Sequence, residues 1–274
     1  MKRLLYKIYW ALQSLIAPSL EFSQRKYARV IQSQVTPATR WLDLGCGHQL
    51  WPEWIAGQRE CADRAAMLVG LDPDAASVRR NSYVHHRVVG LQLPFRDGAF
   101  NLVTANMVFE HLEHPAEVLA EIRRVLSPDG TCVFHTVNAR YWQTALGRHL
   151  PQFAKNLLVL LSEGRAEEDV YPTHYRINTP RALDALLPQA GFRPEAVHWL
   201  NTSSAGRILL LGPFVVLELL WLRLTERPSL YHHRSNVIVV MRPRRQSVTA
   251  PVEAVSTTTG SGASTIHQHV SEAF

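Results

Sequence analysis

Short apolar runs alternate with helical patterns between residues 40 and 241. The runs predict seven strands: Trp41 to Leu44, Met67 to Leu71, His86 to Val89, Phe100 to Ala105, Thr131 to Thr136, Glu195 to Leu200 and Asn236 to Met241. The intervening segments predict helices at Trp51 to Gly57, Asp74 to Asn81, Pro115 to Leu126 and Pro180 to Ala190. Strands that alternate with helices form parallel βαβ units. The pattern therefore predicts an α/β fold: a single doubly wound, mostly parallel seven-stranded sheet with helices on both faces.

Apolar residues also recur at helical spacing in the first 18 residues: Leu4, Ile8, Leu12 and Leu15, with Leu5, Tyr9 and Ile16 beside them. Lys7 and Gln13 interrupt this segment, so its longest clean apolar run is shorter than a signal peptide requires. The pattern predicts an uncleaved amphipathic helix that ends near Pro18. Two interpretations stay open, because such a helix can pack on the domain or lie on a membrane surface.

A second apolar segment, Ile208 to Leu222, is broken by Gly212-Pro213 and by Glu218. It is shorter than the roughly 18–20 apolar residues that a spanning helix needs, so no transmembrane segment is predicted. Together with residues 1–18 it can form one patch that faces a membrane or a partner. From Gln246 to Phe274 small and polar residues follow without periodicity, which predicts a disordered tail.

The predicted organisation has three parts. Residues 1–37 form an amphipathic helical arm, residues 38–245 form the α/β domain, and residues 246–274 form the tail. Within the domain, residues at about 138–176 and 201–234 depart from the repeating pattern and are predicted insertions. Because these insertions carry the aromatic and apolar side chains that the regular frame does not use, we expect them to determine specificity.

Composition narrows the possible partners. The chain has 274 residues, with 29 Lys and Arg against 23 Asp and Glu, for a net charge of +6. The first forty residues account for this excess, which disfavours a nucleic-acid surface along the whole chain. Cys46, Cys61 and Cys132 have the spacing of neither a disulfide framework nor a zinc site, which fits a reducing compartment and a cytoplasmic location. No metal site is predicted.

The end of the first strand carries the first chemical signal, Asp43 followed by Gly45 and Gly47. Glycines let a ligand approach the backbone closely. Leu50 stands where a dinucleotide fingerprint has its third glycine, and Asp43 would repel a pyrophosphate but attract a cationic group. Asp72 ends the second strand, at the distance expected of an acid that binds ribose hydroxyls.

Five motifs in order extend this signal: LDLGCG at 42–47, GLDPD at 70–74, LPFRDGAFNLV at 93–103, EHLEHP at 110–115 and RRVLSPDGTCVFHT at 123–136. They are similar to the successive motifs of class I S-adenosylmethionine-dependent methyltransferases. The nearest branch is the bacterial group that resembles the quinone-biosynthesis methyltransferases. The resemblance implies a Rossmann-like fold and S-adenosyl-L-methionine as the cofactor.

The resemblance also implies which residues bind that cofactor: Asp43, Gly45, Cys46, Gly47, Asp72, Pro73, Gln92, Asn106 and Met107. Asp43 would contact the methionine amino group and Asp72 the ribose. Two simpler alternatives stay open, since the glycines can form a plain strand-to-helix turn and Asp72 can be a helix cap. The family's usual acid before Leu-Pro-Phe is absent, which leaves the adenine to the backbone or to Gln92.

The acceptor side is less defined by sequence. Alignment and desolvation accelerate methyl transfer from a sulfonium, so a general base need not stand out. His111, His135 and Tyr141 are weak candidates for catalysis, and either histidine can instead be structural. The segment after the fourth strand, residues 106–109, lacks the Asn/Asp-Pro-Pro-aromatic tetrad of nucleobase amino-methyltransferases.

The resemblance therefore implies O-methylation of a small hydrophobic, lipid-linked or cell-envelope acceptor and disfavours nucleic acid. Two other functions stay open: a non-catalytic protein that keeps the cofactor pocket, and a nicotinamide-dependent oxidoreductase. The expected location is the cytoplasm, with peripheral contact to the inner membrane surface through residues 1–18 and 208–222. The sequence does not predict an oligomeric state.

Overall fold

One sheet is the frame for all other elements. The computed structural model describes residues 2–90, 92–149, 171–202 and 214–244. The strands are β1 (Arg40–Leu44), β2 (Met67–Asp72), β3 (His86–Val89), β4 (Phe100–Asn106), β5 (Leu126–Val137), β6 (Phe192–Leu200) and β7 (Asn236–Pro243). Their spatial order is β3-β2-β1-β4-β5-β7-β6. Strand β7 runs antiparallel to β5 and β6, and the other neighbours are parallel.

This order reverses in the middle of the sheet. The chain runs outward from β1 through β2 to β3 and then returns to β4 on the other side of β1. A crevice forms at such a switch point, outside the carboxyl ends of the two strands that diverge there. Asp43 of β1 is in register with Thr104 of β4, so the two strands that define the crevice place their polar residues side by side.

Helices lie before, between and after the strands. They are α1 (Lys2–Ile16), α2 (Ser23–Gln34), α3 (Gln58–Arg64), α4 (Ala75–Arg80), α5 (Pro115–Val125), α6 (Trp142–His149), α7 (Pro180–Gln189) and α8 (Phe214–Thr225). Proline at the first turn starts α5 and α7, and the Thr179 hydroxyl of the α7 cap accepts a hydrogen bond from the Ala182 amide at 3.2 Å. No helix among the described residues is long and apolar enough to span a bilayer.

Alternation along the strands divides the core into two layers. Leu42, Val69 and Val103 face the layer that contains α5 and α7. Their chain neighbours Trp41, Leu68 and Leu102 face the layer that contains α2 and α3. Consecutive strand residues point to opposite faces, so a sheet covered on both sides gives the continuous apolar runs that predicted it. The predicted α/β fold with helices on both faces is confirmed.

One predicted helix is misplaced. The sequence placed it at Trp51 to Gly57, but these residues form turns, and α3 begins at Gln58. Pro52 lacks an amide hydrogen, and Gly57 has a φ of 90°, which is left-handed and incompatible with continuing a helix. The Trp51 indole instead donates to the Ile55 carbonyl at 3.1 Å and closes the turn.

The N-terminal arm contains two helices with different roles. Helix α2, which the sequence did not predict separately, buries Tyr27 and Ile31 in the core layer beside β1. Helix α1 packs against α8 through Tyr9 and confirms the predicted helix ahead of Pro18. The predicted tail at 246–274 lies outside the described residues, as do residues 150–170 and 203–213 of the predicted insertions.

Candidate cofactor and acceptor site

The loops at the carboxyl edge of β1, β2 and β4 bring the predicted cofactor residues together. The turn after β1 folds back on β2, because the amides of Gly45 and Cys46 both donate to the Leu71 carbonyl, at 2.8 and 3.2 Å. Gly45 and Gly47 have φ values of 63° and 47°, which side chains rarely adopt. A methyl group on Gly45 would lie 2.3 Å from Cγ2 of Val108, so the turn also passes close to the loop after β4.

Asn81 also stabilises the turn after β1. This fully buried amide, at the end of α4, donates to the carbonyls of Cys46 and Gly47 at 3.0 and 3.3 Å. The Cys46 thiol is buried, and burial raises its pKa, so it is a packing group and not a nucleophile. The sequence placed Asn81 only as the last residue of a predicted helix, and no local pattern distinguishes a cap from such a support.

Asp43 is a buried carboxylate that no positively charged side chain among the described residues contacts. The Thr104 hydroxyl donates to its Oδ1 at 2.5 Å, and the Trp41 indole in turn donates to that hydroxyl at 2.6 Å. Within the described residues, Asp43 forms no ion pair. Desolvation by burial raises the pKa of Asp43 to about 7, with a further upward contribution from the negative charge of Asp72. Such a carboxylate is suited to receive a ligand cation.

Asp72 is oriented by two backbone donors. Its Oδ2 accepts from the Gly47 amide and its Oδ1 from the Asp74 amide, both at 2.9 Å. The alternative role as a helix cap falls to Asp74, whose carboxylate accepts from the amides of Ala76 and Ser77. Each Asp72 oxygen keeps acceptor capacity for a ligand hydroxyl. Asp72 is therefore not the cap of α4, and its contact with the ribose stays a prediction.

A third group forms around Asn106 at the end of β4. Asn106 and Gln24 of α2 exchange two amide hydrogen bonds, at 3.0 and 3.2 Å. The Asn106 oxygen also accepts from Nδ1 of His135 at 2.9 Å, and the Met107 amide donates to the His135 carbonyl at 2.8 Å. Met107 has a φ of 59°, so the chain turns sharply at the point where it enters the crevice. Gln24 and Thr104 are site residues that the sequence did not suggest.

His135 lies in this group but has no ring nitrogen available for proton transfer. Its Nδ1 carries the hydrogen donated to Asn106, and its Nε2 accepts from the Asn236 amide at 3.2 Å. Desolvation lowers the pKa of His135 to about 3, which keeps the ring neutral. These contacts favour the structural role that the sequence left open, in which His135 positions Asn106.

The remaining cofactor candidates lie on the exposed rim. Pro73 follows Asp72 directly and is exposed, and Gln92 is exposed in the loop after β3. Arg124 of α5 fixes the next part of that loop by donating to the carbonyls of Leu93 and Phe95, at 3.0 and 2.6 Å. The assignment of the adenine to Gln92 or to the backbone stays a prediction.

On the acceptor side, Glu110 connects three segments. It is buried, and its Oε2 accepts from the Thr136 hydroxyl at 2.7 Å, while Asn178 donates to that hydroxyl at 2.7 Å. The Glu110 carbonyl accepts from the amides of His174 and Tyr175. Burial raises the pKa of Glu110. Residues 174–178 are therefore held against the end of β5 and the 3-10 helix Phe109–His111.

His111 and Tyr141 differ sharply in access. The Pro172 carbonyl, which can only accept, lies 2.7 Å from Nδ1 of His111, so Nδ1 carries a hydrogen. Nε2 lies 4.0 Å from Oε1 of Glu110 and has no hydrogen-bond partner among the described residues. Tyr141 is buried with Tyr9 and Leu219 between α1 and α8. Tyr141 is thus a packing residue of that helix pair, whereas His111 stays accessible.

Comparison with known proteins assigns the chain to a family. A family model described as a methyltransferase domain matches residues 19–197, well over half of the chain. The chain belongs to this methyltransferase family. The predicted class I S-adenosylmethionine-dependent methyltransferase family is confirmed, together with its cofactor, in preference to the nicotinamide-dependent alternative.

Relatives of this methyltransferase include ubiquinone biosynthesis O-methyltransferases. The enzyme of Hahella chejuensis is 28% identical over 143 residues, which cover 47% of this chain and 56% of that enzyme. The mitochondrial enzyme of Schizosaccharomyces pombe is 30% identical over 121 residues, 40% of this chain and 43% of its own length. The matched segment thus spans only about half the length of these relatives.

Solved structures extend the match over more of the methyltransferase. The geranyl diphosphate C-methyltransferase of Streptomyces coelicolor A3(2), solved with S-adenosyl-L-homocysteine, has a TM-score of 0.50 at 14% identity. The alignment covers 81% of this chain and 80% of that one. At this identity the likeness shows the shared fold.

The cofactor fits the residues at the carboxyl edge. S-adenosylmethionine, when bound, supplies an electrophilic methyl group on a positively charged sulfur. The unpaired Asp43 carboxylate matches the methionine ammonium group, and the Asp72 oxygens match a pair of ribose hydroxyls. Gly45 and Gly47 leave the turn without side chains on the ligand side. These roles rest on the chemistry of the donor set and stay predictions for each residue.

Proposed function

We propose that this methyltransferase transfers the methyl group of S-adenosylmethionine to an oxygen atom of a small hydrophobic, lipid-linked or cell-envelope acceptor. The observation that carries the choice of oxygen is Nε2 of His111, which lies beside Glu110 at the carboxyl edge of the sheet without a hydrogen-bond partner among the described residues. A hydroxyl group must lose its proton to become a strong nucleophile, so an imidazole nitrogen placed to take that proton favours oxygen as the acceptor atom.

The proposed reaction uses His111 as the general base. The acceptor hydroxyl would give its proton to Nε2, and its oxygen would take the methyl group that S-adenosylmethionine supplies, with the electron pair of the carbon–sulfur bond left on sulfur. The products are a methyl ether, a neutral thioether cofactor and an imidazolium. The buried Glu110 carboxylate, 4.0 Å from Nε2, stabilises that imidazolium, while the Pro172 carbonyl holds Nδ1–H.

The similarity to ubiquinone biosynthesis O-methyltransferases supports oxygen as the acceptor atom. A general base contributes about 10²–10⁴-fold to such a step. We therefore expect His111→Gln, which keeps an amide at a similar position, to lower kcat by about 10²-fold or more. His114→Gln serves as the matched control, because His114 is an exposed histidine three residues away whose side chain does not cap α5.

The test uses S-adenosylmethionine with a ¹³C-labelled methyl group. The full chain is incubated with phenols and catechols that carry short isoprenoid tails, with a lipid extract, and with transfer RNA as the nucleic-acid control. The carbon chemical shift of the product distinguishes methyl groups on oxygen, nitrogen and carbon. Oxygen-methylated phenol or lipid with a His111-dependent rate supports the proposal. Methylation of RNA, or transfer to carbon or nitrogen, overturns it.

A further inference from the structure

The helix pair α1–α8 presents apolar side chains on its outer surface as well as at its seam. In α8, Val215, Leu219 and Leu222 are buried against α1. On the opposite face, Phe214 and Leu217 are 64% and 61% exposed, and Leu220 and Leu224 continue the same row. A helix that is apolar all round is expected inside a protein or in contact with lipid.

Helix α1 has the same division between inner and outer apolar faces. Tyr9 is fully buried at the seam with α8, whereas Leu4 and Leu15 are 62% and 76% exposed. At 100° per residue, the row of Leu4, Ile8 and Leu15 lies about 120° round the helix from Tyr9. Most of the stripe that the sequence emphasised therefore faces outward, and a neighbouring stripe attaches α1 to the domain.

The charges around these faces have one sign. Helix α1 contains Lys2, Arg3 and Lys7 and no acidic residue. The only acidic residue of α8 is Glu218, which is buried and accepts from the Gln143 amide at 3.1 Å. Arg223 of α8 is exposed and donates to the Ile16 carbonyl at the end of α1. The two helices thus combine exposed apolar rows with exposed positive charge and no exposed negative charge.

We infer that α1 and α8 together dock this methyltransferase on the surface of an anionic lipid bilayer, without crossing it. The apolar rows enter the acyl boundary, and the lysine and arginine side chains remain among the lipid headgroups. The negative charge of such a bilayer complements the positive charge of the two helices. The inference depends only on these surfaces and not on which acceptor is methylated.

The experiment is vesicle co-sedimentation of the full chain without S-adenosylmethionine. Vesicles of phosphatidylcholine with phosphatidylglycerol are compared with pure phosphatidylcholine at low and at raised salt. We expect binding to the anionic vesicles that weakens with salt. Each basic residue near an anionic surface contributes about fivefold to partitioning, so Lys7→Glu is expected to reduce it by at least about fivefold.

The contribution of the exposed apolar row of α8 is tested by the double variant Leu217→Gln with Leu220→Gln. We expect this variant to reduce partitioning into the vesicles by more than about tenfold. Both side chains are exposed, so the variant is expected to fold, and Lys7→Glu decides the question independently. Matched controls lie elsewhere: Val197→Gln replaces an exposed apolar residue of β6, and Arg181→Glu reverses an exposed charge of α7.

Three outcomes overturn the inference. The first is failure of the folded chain to bind anionic vesicles at low salt. The second is binding that the controls reduce as much as the α1 and α8 variants do. The third is a dimer in vesicle-free solution that Leu217→Gln with Leu220→Gln dissociates while vesicle binding stays absent, because a second copy would then cover these faces.

Discussion

Two regions contain unfavourably placed groups of opposite kinds. One is the carboxyl edge of the sheet with the predicted cofactor residues, here called the cofactor edge, and the other is the α1–α8 pair. At the cofactor edge, a carboxylate at Asp43 is buried with a hydroxyl partner but no cation. On α1–α8, leucines and a phenylalanine lie in water with no apolar cover among the described residues. A buried charge without a counter-charge and an exposed apolar face are both unfavourable, so each region indicates what it must bind. We infer that the first region receives an organic cation and that the second contacts lipid.

The largest effect is expected at Gly45 of the cofactor edge, where both the backbone conformation and the close packing disfavour a side chain. Gly45→Ala would place a methyl group 2.3 Å from Val108 in a left-handed conformation. We expect a loss of about 2–4 kcal/mol in the free energy of unfolding, from strain plus overpacking, together with loss of cofactor binding. Chemical denaturation and calorimetry measure the two effects.

Gly47→Ala is the matched control for this change. It has a similar positive φ but open space where the methyl group would stand, so only backbone strain of about 1–2 kcal/mol is expected. Adding Val108→Ala to Gly45→Ala should recover the packing part of the loss. Equal destabilisation by the two glycine substitutions would contradict the close approach of Val108.

Asp72 and Asp74 are neighbouring acids that separate ligand binding from helix capping. Asp72→Asn removes the charged acceptor for the ribose hydroxyls, and we expect affinity for S-adenosylmethionine to fall by about 10- to 100-fold. Asp74→Asn keeps a capping oxygen on α4 and is expected to leave affinity nearly unchanged. Titration calorimetry of both variants makes the test, and equal losses would argue against the assigned ribose contact.

Asp43 should make cofactor affinity depend on pH. The pKa of Asp43 in the folded protein, about 7, lies above its value in the unfolded chain. The ligand-free protein therefore loses stability as pH rises from the unfolded pKa through the folded pKa. A ligand ammonium favours the ionised carboxylate, so binding releases a proton below about pH 7. We expect affinity to rise about five- to tenfold between about pH 6 and about pH 7.5, and to fall once the ligand amine deprotonates near pH 8.

Asp43→Asn removes the titrating group and is expected to bind weakly with little dependence on pH in that interval. Calorimetry in buffers of different ionisation enthalpy counts the released proton. A wild-type affinity that stays constant from about pH 6 to about pH 7.5 would separate Asp43 from the ligand ammonium.

The smallest effect is expected on the outer face of α1. Leu15→Gln replaces an exposed side chain, so the free energy of unfolding in solution should change by less than about 0.5 kcal/mol. Thermal unfolding without lipid measures it. A loss of several kcal/mol would mean that Leu15 is covered within the protein, and the contrast between the two regions would disappear.

Most of the sheet was predictable, because strands covered on both faces are continuous apolar runs bounded by polar turns. The helix at Trp51 to Gly57 was not, since four apolar side chains close together resemble a helical face even when a proline and a left-handed glycine prevent one. Helix α2 was missed because its apolar positions, such as Tyr27 and Ile31, are few among polar residues.

At the site, the acids and glycines were predictable because ligand chemistry restricts their residue types. Their supports were not, because Thr104, Asn81 and Gln24 act through contacts between distant segments. Thr104 could have been suspected as a polar residue inside the apolar β4 run, but its partner depends on the strand register. On α1, residue spacing identified the apolar stripe. Which face of the helix is buried and which is exposed depended on where α8 packs.

The antiparallel strand β7 also affects how the chain assembles during synthesis. It lies between β5 and β6 and, among the described residues, is the only strand that pairs with β6. Translation at about 5–20 residues per second therefore leaves β6 without a partner for seconds after Leu200 emerges. During that interval the edge of β5 that later pairs with β7 is also open, and its unpaired backbone N–H and C=O groups are available for wrong pairing. Protection by a chaperone would matter most just before Asn236 to Pro243 leaves the ribosome.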